Sequence, residues 1–514
     1  MRLRDLTRRK SLDSLQDEAL HTGLKRVLTA TDLVFLGIGA IIGAGIFATV
    51  GTAAAGEWVG GRWVRMPAGP AIIVSFMFTG LACALAALCY AEMASMVPVS
   101  GSAYTYAYAT LGELMAWIIG WDLILEYAVG NVAVAISWSG YFQELLSGFG
   151  LHFPAWLATD YRSAKAAAAI EPTLRDVGAR FAAQAFQSHP TVLGVPIVFN
   201  LPAVLIVTAL TALLVVGVKE SARFNNGMVI VKLLALGLFV VTALFYIRAE
   251  HYTPFAPGGF TGMMGGAAII FFAYIGFDAV STAAEEARNP ARDIPIGIIG
   301  SLVVCTLIYI AVAAVLTGMV PYTKLNTAEP LTVALKTAGD SRLIHIVSGL
   351  VALGSVVAHT AVLLVFQMGQ PRIFFSTARD GLLPRWAAKV HPRFRTPHVT
   401  TILTGAVVAA TAAVTNIQEM VDLTNVGTLF AFMVVSAGVI VLRYTDPGRP
   451  RPFRTPFVPW VPLLSIVTCG SLIWYLPGIT IVRFLLWLAV GLVIYLLYGY
   501  RHSRLNSARP EATG

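Results

Sequence analysis

The 514-residue chain is 57% apolar and only 12% charged, with a mean hydropathy of +0.74. Soluble domains carry about 25% charged residues, so this composition excludes a soluble globule of this size and points to helices whose flanks face lipid. The net charge of +9 raises nucleic acid as a partner, but the placement of the basic residues along the chain excludes it, as shown below.

A helix needs about 20 apolar residues to cross a bilayer core. Backbone polar groups find no water there, so spans are helices or closed barrels, and continuous apolar runs rather than alternating ones select helices. Twelve spans are predicted at 31–55, 70–97, 112–140, 201–217, 225–247, 261–283, 297–320, 343–368, 399–414, 426–442, 458–476 and 479–499. The fold class is therefore all-α and integral to the membrane. Of the 36 Lys and Arg residues, 24 fall on the side of the two chain ends and 11 on the opposite side, with Lys232 inside a span. The positive-inside rule then places both termini in the cytoplasm of a multi-pass protein of the cell membrane. The basic charge is an orientation signal, not a nucleic-acid footprint.

Taken in chain order, residues 1–30 read as a polar cytoplasmic tail, disordered and soluble, with no cleavable signal peptide. Span 1 carries GIGAIIGAGIF, Gly37 to Phe47. Each glycine costs a helix about 1 kcal/mol relative to alanine, so four in nine residues read as an interruption. Gly39 and Gly43 also fit the helix-contact spacing GxxxG, which is the alternative for this span alone. Residues 56–69, with Trp58, Trp63, Arg62 and Arg65, suit the membrane interface. In span 3, Asp122 and Glu126 share a helix face. Asp122 is read as shallow and interfacial, Glu126 as deeper and either structural or proton-linked. Residues 141–200 read as a long external connection whose Ala-rich centre, 164–185, suits a surface helix. Lys232 lies seven residues into span 5, where a lysine costs at least about 2.5–3.5 kcal/mol. It either snorkels to the surface or does a job inside.

Span 6 reads FFAYIGFDAVSTAAEE from Phe271 to Glu286, with Gly276 and Asp278 at mid-membrane depth. An interrupted helix five spans after another is the pattern of carriers built from inverted repeats. Broken helices expose N–H groups at one half-helix start, which suit a carboxylate, and C=O groups at the other half-helix end, which suit an ammonium. A site with both suits an amino acid. Asp278 is read as bracing the break. Glu92, Glu285 and Glu286 are read as bracing cytoplasmic loops, and His359 in span 8 as a packed polar residue rather than a proton relay. The four cysteines lie in apolar runs without CxxC spacing, as small buried residues do. The tail after residue 500 reads as soluble. No HExxH, GxSxG or P-loop is present, so an enzyme is disfavoured, and paired breaks favour alternating access over a channel pore. No cofactor or metal is expected.

The strings GIGAIIGAGIF, ALCYAEMASMVPVSGSAYTYAYATLGE, GWDLILEY, SARFN, FFAYIGFDAVSTAAEEARNPARDIPIGI, ARDGLLP and NVGTLFAF together resemble the amino acid–polyamine–organocation superfamily. The likeness is greatest to the cationic amino-acid transporter branch and its bacterial homologues, over about residues 24–505 outside the 155–195 insert. The resemblance implies two inverted five-helix repeats, 31–247 and 261–442, then two further spans at 458–499 and a cytoplasmic tail at 500–514. It implies that a substrate carboxylate meets backbone N–H groups at Gly43, Ala44 and Gly45, and that the ammonium meets carbonyls of Ile41, Phe272, Ala273 and Ile275. It places Lys232, after SARFN, where sodium sits in related carriers, bonded to carbonyls of broken span 1 and to span 8. Lys232 and Glu126 are then the coupling residues. Alignment on GQPRIFFSTARDGLLP places Phe366 beside the substrate side chain, where family members that carry arginine and lysine tend to have a small residue. The expectation is a proton-coupled symporter of small neutral amino acids. A cationic amino-acid or polyamine carrier, or an exchanger, is the alternative. The partners expected are an amino acid, protons and the lipid bilayer; the sequence identifies no small membrane-protein partner.

Overall fold

The computed structural model describes residues 8–12, 26–59, 62–97, 99, 101–169, 177–192, 195–217, 222–394 and 396–504. An apolar helix stands at each of the twelve predicted positions. Eight are long and apolar enough to cross a membrane, and a ninth span is a pair of half-helices bent by 42°. This pair is α1 (Ala30–Ile41) and α2 (Gly45–Ala55). A short hairpin of β1 (Glu57–Val59) and β2 (Arg62–Arg65) leads to α3 (Gly69–Met96), then α4 (Ser102–Thr110) and the long α5 (Glu113–Ser147). After the external connection come α8 (Leu201–Val216) and α9 (Ala222–Leu244), then α10 (Gly259–Ile270) and its short continuation α11 (Ala279–Thr282). The remainder is α12 (Pro290–Met319), α13 (Pro330–Ala338), α14 (Arg342–Arg379), α15 (His398–Val414), α16 (Ile417–Thr445), α17 (Trp460–Trp474) and α18 (Gly478–His502). Three of the twelve, α8, α15 and α17, are shorter apolar helices.

Local chemistry sets several helix starts. Thr29 and Asp32 form a reciprocal capping box at α1, with the Thr29 amide donating to the Asp32 carboxylate at 3.0 Å. Ser341 and Asn416 cap α14 and α16 by accepting from the amides of Ile344 and Glu419. Each such side chain satisfies one of the donors a helix start leaves unpaired.

The observed helices overrun the predicted spans. α14 continues past 368 to Arg379, and α12 begins at Pro290 rather than 297. Hydropathy sees only the part of a helix in the lipid core, while hydrogen bonding carries the helix on into water. The predicted surface helix in the 164–185 region is two helices, α6 (Tyr161–Ala169) and α7 (Val177–Gln187), followed by a small hairpin, β3 (Thr191–Val192) with β4 (Val195–Pro196).

α5 packs along α14 and α16, and α12 along α1 and α3. Small residues permit the close approach that membrane helices need in place of a hydrophobic driving force. A Cβ at Gly37 would lie 2.6 Å from the Ser301 Cβ, and one at Gly297 2.8 Å from the Leu33 Cβ. The segments nearest both chain ends meet at one end of the bundle: Arg8 O accepts from Glu113 N, and Arg504 N donates to Asp380 O. Residues 8–12 therefore dock on the bundle, with Leu12 buried and the Lys10 ammonium 3.5 Å from Asp380. The expectation of a wholly solvated N-terminal tail fails for these residues.

At the far end, Trp58 and Trp63 are exposed and pack edge to face. Arg65, expected at the interface with them, is instead buried. Its guanidinium pairs with Asp422 at the start of α16 and lies 3.4 Å from Glu57. Both members of the pair, Arg65 and Asp422, are buried. Truncating one member of a buried pair strands the other charge at a cost of about 3–5 kcal/mol. Arg65→Ala should accordingly lower the thermal midpoint of the purified protein by several degrees. The double variant Arg65→Met, Asp422→Leu should recover most of it, and equal losses in both would show that the pairing is not the cause.

Candidate substrate and coupling site

The first break lies between Ile41 and Gly45. Ile42 adopts an extended backbone, with φ −77° and ψ 103°, and helical bonding resumes at Gly45. The Phe47 amide bonds back to the Gly43 carbonyl at 3.3 Å, and the amides ahead of it are those that a helix start leaves without intrahelical partners. The second break follows α10. A short tight turn, Phe271–Tyr274, ends at Ile275, whose ψ of 134° is extended. Gly276 then takes φ +118°, where a side chain is strained, and a Cβ there would meet the Ala40 carbonyl carbon at 2.8 Å. Only glycine fits the second break against the first.

The two breaks touch. A Cβ at Gly45 would fall on the backbone of Ala273. The Tyr309 hydroxyl, from α12, lies 3.0 Å from the Ile41 carbonyl and 2.9 Å from the Ala273 carbonyl. It therefore joins the two carbonyls that the family resemblance assigns to a substrate ammonium. One hydroxyl proton is shared here between two acceptors. Asn425 of α16 donates to the carbonyls of Ala268 and Ile269 at 2.8 and 3.1 Å, taking up the end of α10. Among the described residues, no side chain donates to the carbonyls of Phe272 and Ile275. Beyond the break, a cavity of about 10 Å³ between α2, α10 and α16, lined in part by Thr49, Thr52 and Gln418, has room for about one water.

Lys232 is wholly buried, so it does not snorkel. Its ammonium donates to the carbonyls of Gly39 at 2.6 Å and Ile42 at 3.0 Å. Both acceptors belong to the break in span 1. The expected bond to span 8 is absent among the described residues, although α9 and α14 pack together. An ammonium with three donors is a compact point charge, and here it replaces the helical partners that the break removes.

Phe366 is buried, which excludes contact with lipid and leaves packing on the bundle scaffold as the alternative to contact with substrate. Its ring lies 5.4 Å from that of Tyr127 and faces Gly130. One turn earlier on α14, Val362 covers Gly43, where a Cβ would come within 2.8 Å of it. Val362 thus fronts the first break, while Phe366 packs one turn on against α5. His359, one turn earlier again, is held on both ring nitrogens. Nδ1 lies 2.6 Å from the Ser355 carbonyl, which can only accept, and Nε2 lies 2.7 Å from the Ser137 hydroxyl. This arrangement fits the packed role expected for it.

The carboxylates divide. Glu92 is buried and held by Arg443 at 2.7 and 2.9 Å and by Arg451 at 3.2 Å, closing the end that carries the chain ends. Asp278 lies beside the second break among the amides of Gly276 and Ala279. Glu126 is buried near Asp278 and Thr428. Asp122 is not shallow. It is fully buried against Gly427, and neither carboxylate oxygen meets a hydrogen-bond partner. The first turns of α5 are wrapped by α16 and α18 rather than by headgroups, which sequence depth alone does not reveal. Tyr309 was missed because an aromatic residue in an apolar span reads as packing. Its only sequence signal is a hydroxyl at mid-span, which must find a partner in a dry interior.

A bundle of this kind, with two broken helices meeting at its centre and a lysine on one break, is a membrane carrier rather than an enzyme. The chain belongs to the amino acid permease family, whose model matches residues 28–497. It is 46% identical over 501 residues to the methylthioribose transporter of Bacillus subtilis (strain 168), covering 98% of this chain and 99% of that one. It is equally 46% identical to the branched-chain amino acid permease BcaP of the same organism, over 97% and 98% of the two chains. The vacuolar cationic amino acid transporter 4 of Arabidopsis thaliana is 36% identical over 87% of this chain and 68% of its own.

Proposed function

We propose that the protein is a secondary carrier of small neutral amino acids that works by alternating access with proton symport. The observation that carries this reading is the meeting of the two breaks, with Lys232 bonded to the carbonyls of Gly39 and Ile42. In this reading the amides of Gly43, Ala44 and Gly45 take the substrate carboxylate. Its ammonium displaces the Tyr309 hydroxyl from the carbonyls of Ile41 and Ala273, beside those of Phe272 and Ile275. These contacts use backbone and one hydroxyl, so they select the α-amino acid head and not the side chain. Lys232 couples transport to the proton, with Glu126 as a second proton-linked group and Asp278 bracing the second break. The two breaks belong to two five-helix halves, 31–247 and 261–442, followed by 458–499. The protein sits in the cell membrane with cytoplasmic termini, as the bias of basic residues suggests.

Phe366 and Val362 give the side-chain region an apolar wall without a partner for a second positive charge. The relative named for branched-chain amino acids fits that wall better than the cationic transporters do. Uptake of labelled alanine into proteoliposomes should be competed by unlabelled leucine and not by arginine. Phe366→Ser should admit arginine and raise its competition by roughly tenfold or more, given what one or two methylenes decide in an apolar pocket. Arginine taken up better than alanine by the unaltered protein would overturn the neutral assignment.

A second reading rests on the equal identity to the methylthioribose transporter. Methylthioribose has neither an ammonium nor a carboxylate. It would leave Tyr309 on its two carbonyls and meet the break through hydroxyls. Adding it to the competition panel separates the readings: strong competition by methylthioribose with none by leucine selects the second.

A further inference from the structure

Outside the central site, the outer surface of α12 carries a groove of about 640 Å³ at the end of the bundle where the chain ends lie. Its wall on α12 is Pro295, Ile296, Ile299 and Gly300, and its other wall is Pro452 and Phe453 from the segment before α17. Arg292 stands at its mouth and Arg454 directly follows Phe453. Both arginines are exposed, and neither makes an ion pair among the described residues. Below the groove the same face of α12 continues as Ile296, Val303 and Leu307, which are 41%, 52% and 65% exposed. Spacings of seven and four residues keep these three on one side of the helix. Arg292 thus lines the groove one turn above an apolar track, and the exposed Arg454 adjoins its other wall in sequence.

We propose that this groove holds one anionic phospholipid, its phosphate on Arg292 and Arg454 and an acyl chain along Ile296, Val303 and Leu307. Charge and shape together select this occupant. A free phosphate uses the arginines but leaves the track empty, and a zwitterionic lipid fills the track but returns little from two arginines left without carboxylates. The neighbouring basic loop, with Arg449 and Arg451 bonded into its own backbone and to Asp446 and Glu92, holds the second wall in place. α12 also carries Tyr309 and packs on α1, so a lipid here lies against the helix that bridges the two breaks.

The test uses the full-length protein in neutral detergent, with bound lipid counted by native mass spectrometry. The probes are dioleoylphosphatidylglycerol, dioleoylphosphatidylcholine and glycerol phosphate. One tightly held copy of the phosphatidylglycerol is expected, displaced by neither the phosphatidylcholine nor glycerol phosphate. Each arginine near a surface adds about five-fold to the affinity for an anionic lipid, so R292Q with R454Q should weaken retention about 25-fold. Ile296→Trp should fill the groove and reduce retention with both arginines present, while R501Q, an exposed arginine elsewhere at the same end, should leave it unchanged. Phosphatidylglycerol held no better than phosphatidylcholine overturns the proposal. So does retention unaffected by R292Q with R454Q, and so does displacement by glycerol phosphate, which would assign the arginines to a soluble phosphate. The comparison of lipids on the unaltered protein stands even where a variant does not fold.

Discussion

Lys232→Ala is expected to abolish concentrative uptake while leaving an inserted, folded carrier. The lysine is wholly buried and its ammonium supplies donors to Gly39 O and Ile42 O. Each hydrogen bond from a charged group contributes about 1.5–3 kcal/mol, so losing two frees the carbonyls of the break and removes a full charge from its centre. The loss expected in proton-driven accumulation is at least about a hundred-fold, because two such bonds sum to about 3 kcal/mol or more and roughly 1.4 kcal/mol is tenfold. Removing a buried group that costs several kcal/mol to insert also relieves the bundle, which is why folding should survive. The measurement is uptake of labelled alanine with and without an imposed pH gradient, beside size-exclusion and thermal profiles of the purified variant. A correctly folded alanine variant that still accumulates substrate fully would remove Lys232 from the coupling role.

Gly45→Val should abolish substrate binding. The sequence argument rests on crowding at the carboxylate position and on the cost of a β-branched residue in unwound backbone. The structure adds a larger cause, because the new Cβ would strike the backbone of Ala273. Backbone cannot rotate away as a side chain can, so the two breaks must separate. Their separation would pull Ile41 O and Ala273 O off the shared Tyr309 hydroxyl. Overpacking in a dense interior costs typically about 1–3 kcal/mol, and the loss of aligned amides should add to it, taking affinity down by at least about a hundred-fold. Gly45→Ala adds one carbon at the same place and should fall between. Isothermal titration of the purified variants with alanine, checked against the thermal midpoint without ligand, reads both. Unchanged affinity in the valine variant would put the carboxylate elsewhere.

The helices were legible because lipid demands long apolar runs, and every predicted span holds a helix. The breaks were legible because Gly276 and Asp278 interrupt an apolar run five spans after the four glycines of span 1, a pairing that helix contact through GxxxG does not explain. Helix ends were not legible. The turns 369–379 of α14 and 290–296 of α12 are polar enough to read as loops, yet they continue a helix whose bonding does not depend on lipid. Burial by neighbouring helices was also hidden. Arg65 read as an interfacial residue until its pairing with Asp422 was seen, and Asp122 read as shallow until α16 and α18 closed over it. Lys232 was singled out by its rarity, but its two carbonyl partners came from the resemblance. Tyr309 could not be told from a packing aromatic, because only three-dimensional proximity brings its hydroxyl to both breaks.

The most direct test of the whole account is uptake of labelled alanine into proteoliposomes of the full-length protein, inside neutral and outside acidic, repeated without a gradient and with unlabelled alanine preloaded. A proton-coupled carrier predicts saturable accumulation above the outside concentration that collapses with the gradient, and counterflow from preloaded vesicles. Counterflow without gradient-driven accumulation would make the protein an exchanger. Flux that neither saturates nor shows counterflow would contradict alternating access altogether.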